Sequence, residues 1–309
     1  MTAHGIMFHH FCNYKNHLRG QGAIDQNEFE KILDFLGDFN ILDANKWLEK
    51  ATNNELEDND ICITFDDGLR CQYDVALPVL EKRKLTAFWF VYSNIYDGYL
   101  GRLEIYRYYR TAFFRDIEEF YDKFFNFLEL SKHNDFVKKG LKNVNIEDHL
   151  KEFNFYSRND KKFRFIRDKI LGQDNYFKIM DELITNDNLD LNKLNSHLWM
   201  DERQIQELSF KGHVIGLHSY SHPTELASMS TKEQKLEYEK NFYHLSNILS
   251  TIPITMSHPC NSYNKYTLEI LDNLGVKLGF RSNSQLEKFN KYEFPRIDHA
   301  ILMKELQLK

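Results

Sequence analysis

Two adjacent carboxylates, Asp66 and Asp67, follow the run Ile61-Cys62-Ile63-Thr64-Phe65 and precede Gly68. A β-branched apolar run of this kind predicts a buried strand, and glycine permits the tight turn that ends it. Parallel sheets carry their chemistry at the carboxyl ends of strands, so paired acids placed there face a pocket rather than bulk water. Asp-Asp-Gly on its own is equally an ordinary polar turn. A second cluster shifts the balance towards chemistry. His218 and His222 stand four residues apart, after the strand-like run Gly212-His213-Val214-Ile215-Gly216-Leu217. That spacing predicts one side of a helical turn, with both imidazoles able to reach one divalent ion. Two imidazole nitrogens and one carboxylate oxygen make a three-ligand catalytic site with positions left for water and substrate. A pair of solvated or capping histidines is the alternative.

These residues need a scaffold, and the chain has the means to build one. With 309 residues, 42% hydrophobic and 15% aromatic, it can bury a large core without disulfide staples. Cys12, Cys62, Cys71 and Cys260 show no paired spacing and read as reduced, mostly buried thiols. The net charge of −6 excludes nucleic acid as the main partner, because no basic excess is available to neutralise phosphates. No run of about 18 apolar residues predicts a membrane span. Met1-Thr2-Ala3-His4 reads as a natural start without a leader, and the expected location is cytoplasmic.

In chain order, Gly5 to Phe11 predicts a short strand ending in His9 and His10, of which strand alternation lets one face a given pocket. Asp25 predicts the cap of a helix through about Leu36. Ile41 to Leu48 predicts a short strand or turn leading into a second helix. Helical spacing covers Tyr73 to Lys84, and Leu85 to Tyr92 predicts another buried strand, completing a strand, acid turn, helix, strand unit of a parallel sheet. From about Asp97 to Leu198 there is no proline and no buried-strand pattern, and Ile117, Phe120, Tyr121, Phe124 and Phe125 repeat at helical spacing. A helical insertion with an aromatic core follows, expected to serve as a lid or pocket wall that selects substrate.

Thr64-Phe65-Asp66-Asp67-Gly68 followed by His218-Ser219-Tyr220-Ser221-His222 resembles the paired motifs of the polysaccharide deacetylase family, the NodB homology domain or carbohydrate esterase family 4. The resemblance implies a distorted (β/α) barrel of about seven parallel strands, here with residues 1–97 and 199–309 as its two parts and residues 98–198 as a large helical insertion. It implies Asp66 as catalytic base, and Asp67, His218 and His222 as ligands of one divalent metal, commonly zinc. It covers roughly residues 5–96 and 205–300.

Two departures accompany the resemblance. Where the family carries an Arg-x-Pro-Tyr type segment lining the pocket, this chain reads Ser257-His258-Pro259-Cys260-Asn261-Ser262-Tyr263, without the arginine. Arg296, in Phe294-Pro295-Arg296-Ile297-Asp298, is the expected replacement, with a structural salt bridge as the alternative. Pro259, Asn261 and Tyr263 are expected to line the substrate site, a backbone N–H near Asn261 serving the oxyanion. The family's late histidine, the acid, has only His299 as a late counterpart. Met7-Phe8-His9-His10 resembles circularly permuted members, in which that strand opens the chain. His9 is therefore expected to be the acid, facing the metal from the side opposite Asp66, with His10 as alternate and Asp298 holding the ring charged.

The resulting expectation is metal-assisted removal of an N-acetyl group from an amino sugar, a carbohydrate precursor of bacterial surface glycan. Alternatives are another amide such as N-formyl on a nucleotide- or lipid-linked sugar, or a degenerate sugar-binding member without turnover, against which an intact Asp66 argues. A metal phosphoesterase would call for more than the single ligand set present. The oligomeric state is not legible.

Overall fold

The strand that ends in Asp66 lies inside a parallel sheet. A computed structural model describes residues 2–149, 157–284 and 290–307; residues 150–156 of the expected insertion lie outside the described residues. The strands are β1 (His4–Phe8), β2 (Asn40–Ile41), β3 (Asp60–Phe65), β4 (Phe88–Val91), β5 (Val214–Leu217), β6 (Thr255–Ser257), β7 (Leu278–Phe280) and β8 (Arg296–Asp298). In space they run β7-β6-β5-β4-β3-β1-β8, with the short β2 paired on β3 off this path. All these pairings are parallel. A parallel bridge from Phe280 of β7 to Phe294, just before β8, brings the two ends of the path together. The sheet thus nearly closes into the distorted (β/α) barrel that the family resemblance implies.

Both faces of β3 are covered, which is why its sequence Asp-Ile-Cys-Ile-Thr-Phe shows no polar alternation and every residue is buried. Ile61, Ile63 and Phe65 pack with Phe29, Ile32 and Leu33 of the helix Gln26–Phe35 and with Val79 and Leu80 of the helix Leu77–Arg83. Cys62 belongs to a second cluster with Trp47, Phe88, Phe90 and Phe280. Burying each large side chain contributes about 1.5–3 kcal/mol, so the two clusters fix β3 from both sides. Gly216 on β5 leaves room for this packing, since a Cβ there would stand 2.5 Å from Thr255 Oγ1 and 2.6 Å from Phe90 Cδ1.

The helix capped by Asp25 forms as expected, with a reciprocal capping box to Glu28. The expected helix from Tyr73 differs at its start. Gln72–Ala76 is a wider π turn that passes into the α-helix Leu77–Arg83. Pro78, with no N–H to give to the carbonyl four residues back, sits where the register changes.

Two compact units are present: Met1–Tyr99 with Leu198–Lys309, and Leu100–His197. The second unit is helical throughout its described residues, with Phe120, Tyr121, Phe124, Phe163 and Tyr176 buried at its centre. Among the described residues no helix is long and apolar enough to cross a membrane.

Candidate active site

The barrel brings together residues more than 200 positions apart, at the carboxyl ends of β1, β3, β5 and β6 and at the start of β8. Asp66 and Asp67 leave β3 in different directions because the backbone turns sharply between them. Asp67 has φ 79° and Gly68 φ 76°, both in the left-handed region. Such a conformation is costly for a residue with a Cβ and is held only when the surroundings demand it.

Asp66 is 2% exposed and closely paired. Arg296, fully buried at the start of β8, donates from Nη1 to Asp66 Oδ1 and from Nη2 to Oδ2, each at 2.6 Å. The Ser257 hydroxyl, at the end of β6, donates to Asp66 Oδ1 at 3.2 Å. Arg296 is itself fixed, donating from Nε to the Arg281 carbonyl at 2.6 Å and from Nη1 to Thr64 Oγ1 at 3.2 Å. Burial pushes the Asp66 carboxyl up, but Arg296 above all brings it down to about 2.

Asp67 is buried too, yet its Oδ1 has no hydrogen-bond partner. Facing that atom are His218 Nε2 at 3.5 Å and His222 Nε2 at 3.4 Å. One ligand atom from each of the three residues lies within 4.8 Å of the others. Two atoms that each bind a tetrahedral ion at about 2.1 Å stand about 3.4 Å apart, so these separations fit a shared zinc-like ion. His218 Nδ1 lies 2.9 Å from the Ser257 carbonyl, an acceptor that requires the proton on Nδ1 and leaves the Nε2 lone pair for the ion. Burial pushes the Asp67 carboxyl up, but the two facing rings bring it well below the usual range. The orphaned oxygen and the donor set together pass the test for a divalent cation site.

The histidine pair departs from its expected geometry. Residues 218–222 form no helical turn; Ser219 (φ 62°) and His222 (φ 54°) adopt left-handed backbone instead. Polar side chains nearby hold this irregular loop, so the rings converge, 4.9 Å between centroids, without helical periodicity.

His9 follows β1, with Nε2 3.8 Å from Asp66 Oδ2. β1 pairs with β8 through Gly5 and Arg296, which places the two strands side by side. His9 therefore stands beside Asp66, where an opposite position was expected. His10 stacks near His9 at 6.1 Å, its carbonyl accepting from Ile24 N–H. His299 lies 5.5 Å from the Phe8 ring, and its Nε2 is 3.0 Å from the Gly22 carbonyl, in packing on the outer face of β1. Asp298 accepts from Ala300 N–H at 2.8 Å and faces His299 Nδ1 at 3.4 Å, so it caps the following helix.

The Ser257 segment ends β6 with Pro259 buried and with Cys260 and Asn261 at φ 49° and 56°. Asn261 N–H donates to the His258 carbonyl at 3.2 Å. Its Oδ1 accepts from Ser282 N–H at 3.1 Å. Tyr263 stacks on His258 at 3.8 Å and donates to Glu293 Oε1 at 2.6 Å. One contributor escaped the sequence reading. Gln72, fully buried, donates from Nε2 to the His9 carbonyl at 2.8 Å and the Asp66 carbonyl at 2.6 Å, tying β1 to β3. Nothing in the sequence sets Gln72 apart from the other polar residues of this helical segment.

Comparison with known proteins agrees with this geometry. A profile of the polysaccharide deacetylase family matches residues 53–117 and 181–279. Among solved structures, the Streptococcus pyogenes deacetylase PplD superposes with a TM-score of 0.55 at 17% identity, over 96% of this chain and 92% of that one. IcaB from Ammonifex degensii gives 0.55 at 16% identity, over 96% and 91%. A de-N-acetylase from Aggregatibacter actinomycetemcomitans gives 0.53 at 11% identity, over 96% and 94%. At these identities the likeness concerns the fold. No curated protein sequence matches the chain. With a barrel of that fold, a family profile spanning more than half its length and both family motifs at the strand ends, the chain belongs to the polysaccharide deacetylase family.

Proposed function

We propose that the protein is a metal-dependent N-deacetylase acting on an N-acetylated amino sugar. The observation that carries this reading is the division between two adjacent carboxylates, one held by Arg296 and one left facing two imidazole nitrogens. Asp67, His218 and His222 would hold the ion, with zinc as the expected metal. When bound, it supplies Lewis acidity, polarising the amide carbonyl and making a water more acidic.

The chain's own groups supply the proton transfers. Asp66 takes the proton of the attacking water as the new C–O bond forms, and His9 gives a proton to the sugar nitrogen as the C–N bond breaks. Acetate and a free amine result. The Arg296 fork holds Asp66 ionised and aimed, and its rigid geometry suits a carboxylate better than a lysine would. Burial of the acid beside Arg296, Ser257 and Thr64 excludes bulk water from the non-reacting side. Pro259, Tyr263 and the left-handed turn at Cys260 and Asn261 would line the sugar side. Tyr263 offers the edge of a ring already locked by His258 and Glu293.

Acetate release from N-acetylglucosamine oligomers and from a nucleotide-linked N-acetyl sugar, with added zinc, tests this reading. Release from one of them, abolished by Asp66→Asn, is the expected result. Formate from an N-formyl sugar with no acetate from any substrate would move the reaction to another acyl group. Sugar binding without either product would make this a non-catalytic member.

A further inference from the structure

Glu237 and Asn241, on the helix Thr231–Leu249, lie one turn apart and take up the backbone donors of the loop that carries His218 and His222. Asn241 Oδ1 accepts from His218 N–H at 3.0 Å. Its Nδ2 donates to the Val91 carbonyl at 3.0 Å and to Ser93 Oγ at 2.9 Å, which pins the start of the loop to the end of β4. Glu237 Oε2 accepts from Tyr220 N–H at 3.1 Å and from Ser221 N–H at 2.8 Å, while its Oε1 accepts from Ser221 Oγ at 2.7 Å. Lys240 lies over the Tyr220 ring, 4.6 Å from its centroid. His244 and the Tyr220 hydroxyl both meet Asp97, at 3.2 and 2.7 Å. Residues 237, 240, 241 and 244 form a single stripe of the helix, and all of it is turned to this loop.

The loop needs such a partner. Ser219 and His222 are both left-handed, so the segment has no repeating hydrogen bonds of its own to keep its shape. Asn241 is fully buried, and a buried amide placed there contributes only if its hydrogen bonds are made. A helix of 19 residues is also far stiffer than the loop it touches.

We propose that Glu237 and Asn241 are positioning residues for the metal site: by fixing the backbone at 218, 220 and 221 they set the approach of the two imidazole nitrogens to Asp67. This rests on the metal-site reading above. Removing either residue should weaken metal binding without touching a ligand, because the loop relaxes and the ion must then pay for reordering it. Outer contacts of this kind typically change metal affinity roughly 10- to 100-fold.

The test is zinc affinity by chelator competition, together with the visible absorption of the cobalt-substituted protein, for the wild type, Glu237→Leu, Glu237→Gln, Asn241→Leu and Gln234→Leu. Gln234 lies on the same helix, fully buried, and bonds Met229 and Thr267, so its loss destabilises the helix without contacting the loop. The expected result is weaker zinc binding and an altered cobalt spectrum in Glu237→Leu and Asn241→Leu, partial recovery in Glu237→Gln, and wild-type values in Gln234→Leu. Should Asn241→Leu fail to fold, Glu237→Leu decides alone, since its side chain is only half-buried. Unchanged zinc affinity in the folded Glu237 variants, or an equal loss in Gln234→Leu, overturns the proposal. Absence of zinc binding by the wild type would instead overturn the metal-site reading itself.

Discussion

The helical unit and the barrel unit both hold carboxylates that are buried or half-buried, and they treat them in opposite ways. In the helical unit Tyr106 donates to Asp181 at 2.5 Å, Tyr109 to Asp187 at 2.6 Å, and Tyr121 to Asp160. Burial, followed by the facing carboxylate, pushes each of these hydroxyls well above the usual tyrosine range, so each pair keeps its proton on the ring. A neutral donor and an ionised acceptor are thereby satisfied, and nothing is left over to react. In the barrel unit Asp67 Oδ1 is buried without a hydrogen-bond partner and faces two imidazole nitrogens, while its neighbour Asp66 is gripped by a guanidinium. An unsatisfied buried atom beside strained backbone is expensive, and the proposed cation would satisfy it. Among these carboxylates, the oxygen left without a hydrogen-bond partner marks the candidate site.

Variants of the barrel acids should lose chemistry, whereas variants of the helical pairs should lose only stability. The largest effect is expected for His9→Ala, which should keep its ion and lower turnover roughly 10²- to 10⁴-fold, as loss of a general acid does. Steady-state rates settle it: full activity in His9→Ala, with His299→Ala inactive, would move the acid to the outer face of β1. Next comes Arg296→Met, which strands the Asp66 carboxylate in the interior. Breaking a buried pair in this way costs about 3–5 kcal/mol, and denaturant unfolding at neutral pH should record it. A loss under about 1 kcal/mol, as for an exposed pair, would contradict the buried fork.

Tyr121→Phe provides the matching test in the helical unit. Asp160 loses its hydroxyl donor, with a cost of about 1–3 kcal/mol, while zinc affinity and turnover of the folded protein stay unchanged. A drop in turnover would join that unit to the chemistry. The last effect concerns pH. His213 Nδ1 accepts from Ala87 N–H at 2.9 Å, which requires a neutral ring, and burial lowers its pKa to about 4. The unfolded chain takes up a proton near 6.5 and the folded one does not, so this contribution is complete above that value and declines as the pH falls from 6.5 towards 4. The slope is up to about 1.4 kcal/mol per pH unit. His213→Asn should flatten it in unfolding curves measured between these limits; an unchanged slope would assign the decline to other groups.

The barrel was legible because its signals are local. Ile61 to Gly68 carries a buried strand and a turn in eight consecutive residues, and the Asp25 capping box needs only four. The candidate ligand set was legible for the same reason, as three residues in two short motifs. What stayed hidden depends on tertiary contact. Arg296 meets Asp66 across 230 positions, and either of its two readings fits the sequence until β8 is seen beside β1. The four-residue spacing of His218 and His222 suggested a helical turn, although two left-handed residues and a clamping helix achieve the convergence. Glu237 and Asn241 look like any polar helix face, since nothing near them in sequence shows which loop lies opposite.

The central claim is that the two adjacent aspartates have different tasks, and metal stoichiometry in paired variants tests it most directly. Asn tolerates left-handed backbone well, so Asp67→Asn should fold, as should Asp66→Asn with its Arg296 contact weakened. Zinc per chain is to be measured after dialysis against a weak chelator, alongside acetate release. The account predicts one equivalent of zinc and almost no acetate for Asp66→Asn, and a large loss of both for Asp67→Asn. Equal loss of zinc in the two variants would make Asp66 a ligand, and a full equivalent in Asp67→Asn would remove Asp67 from the metal site.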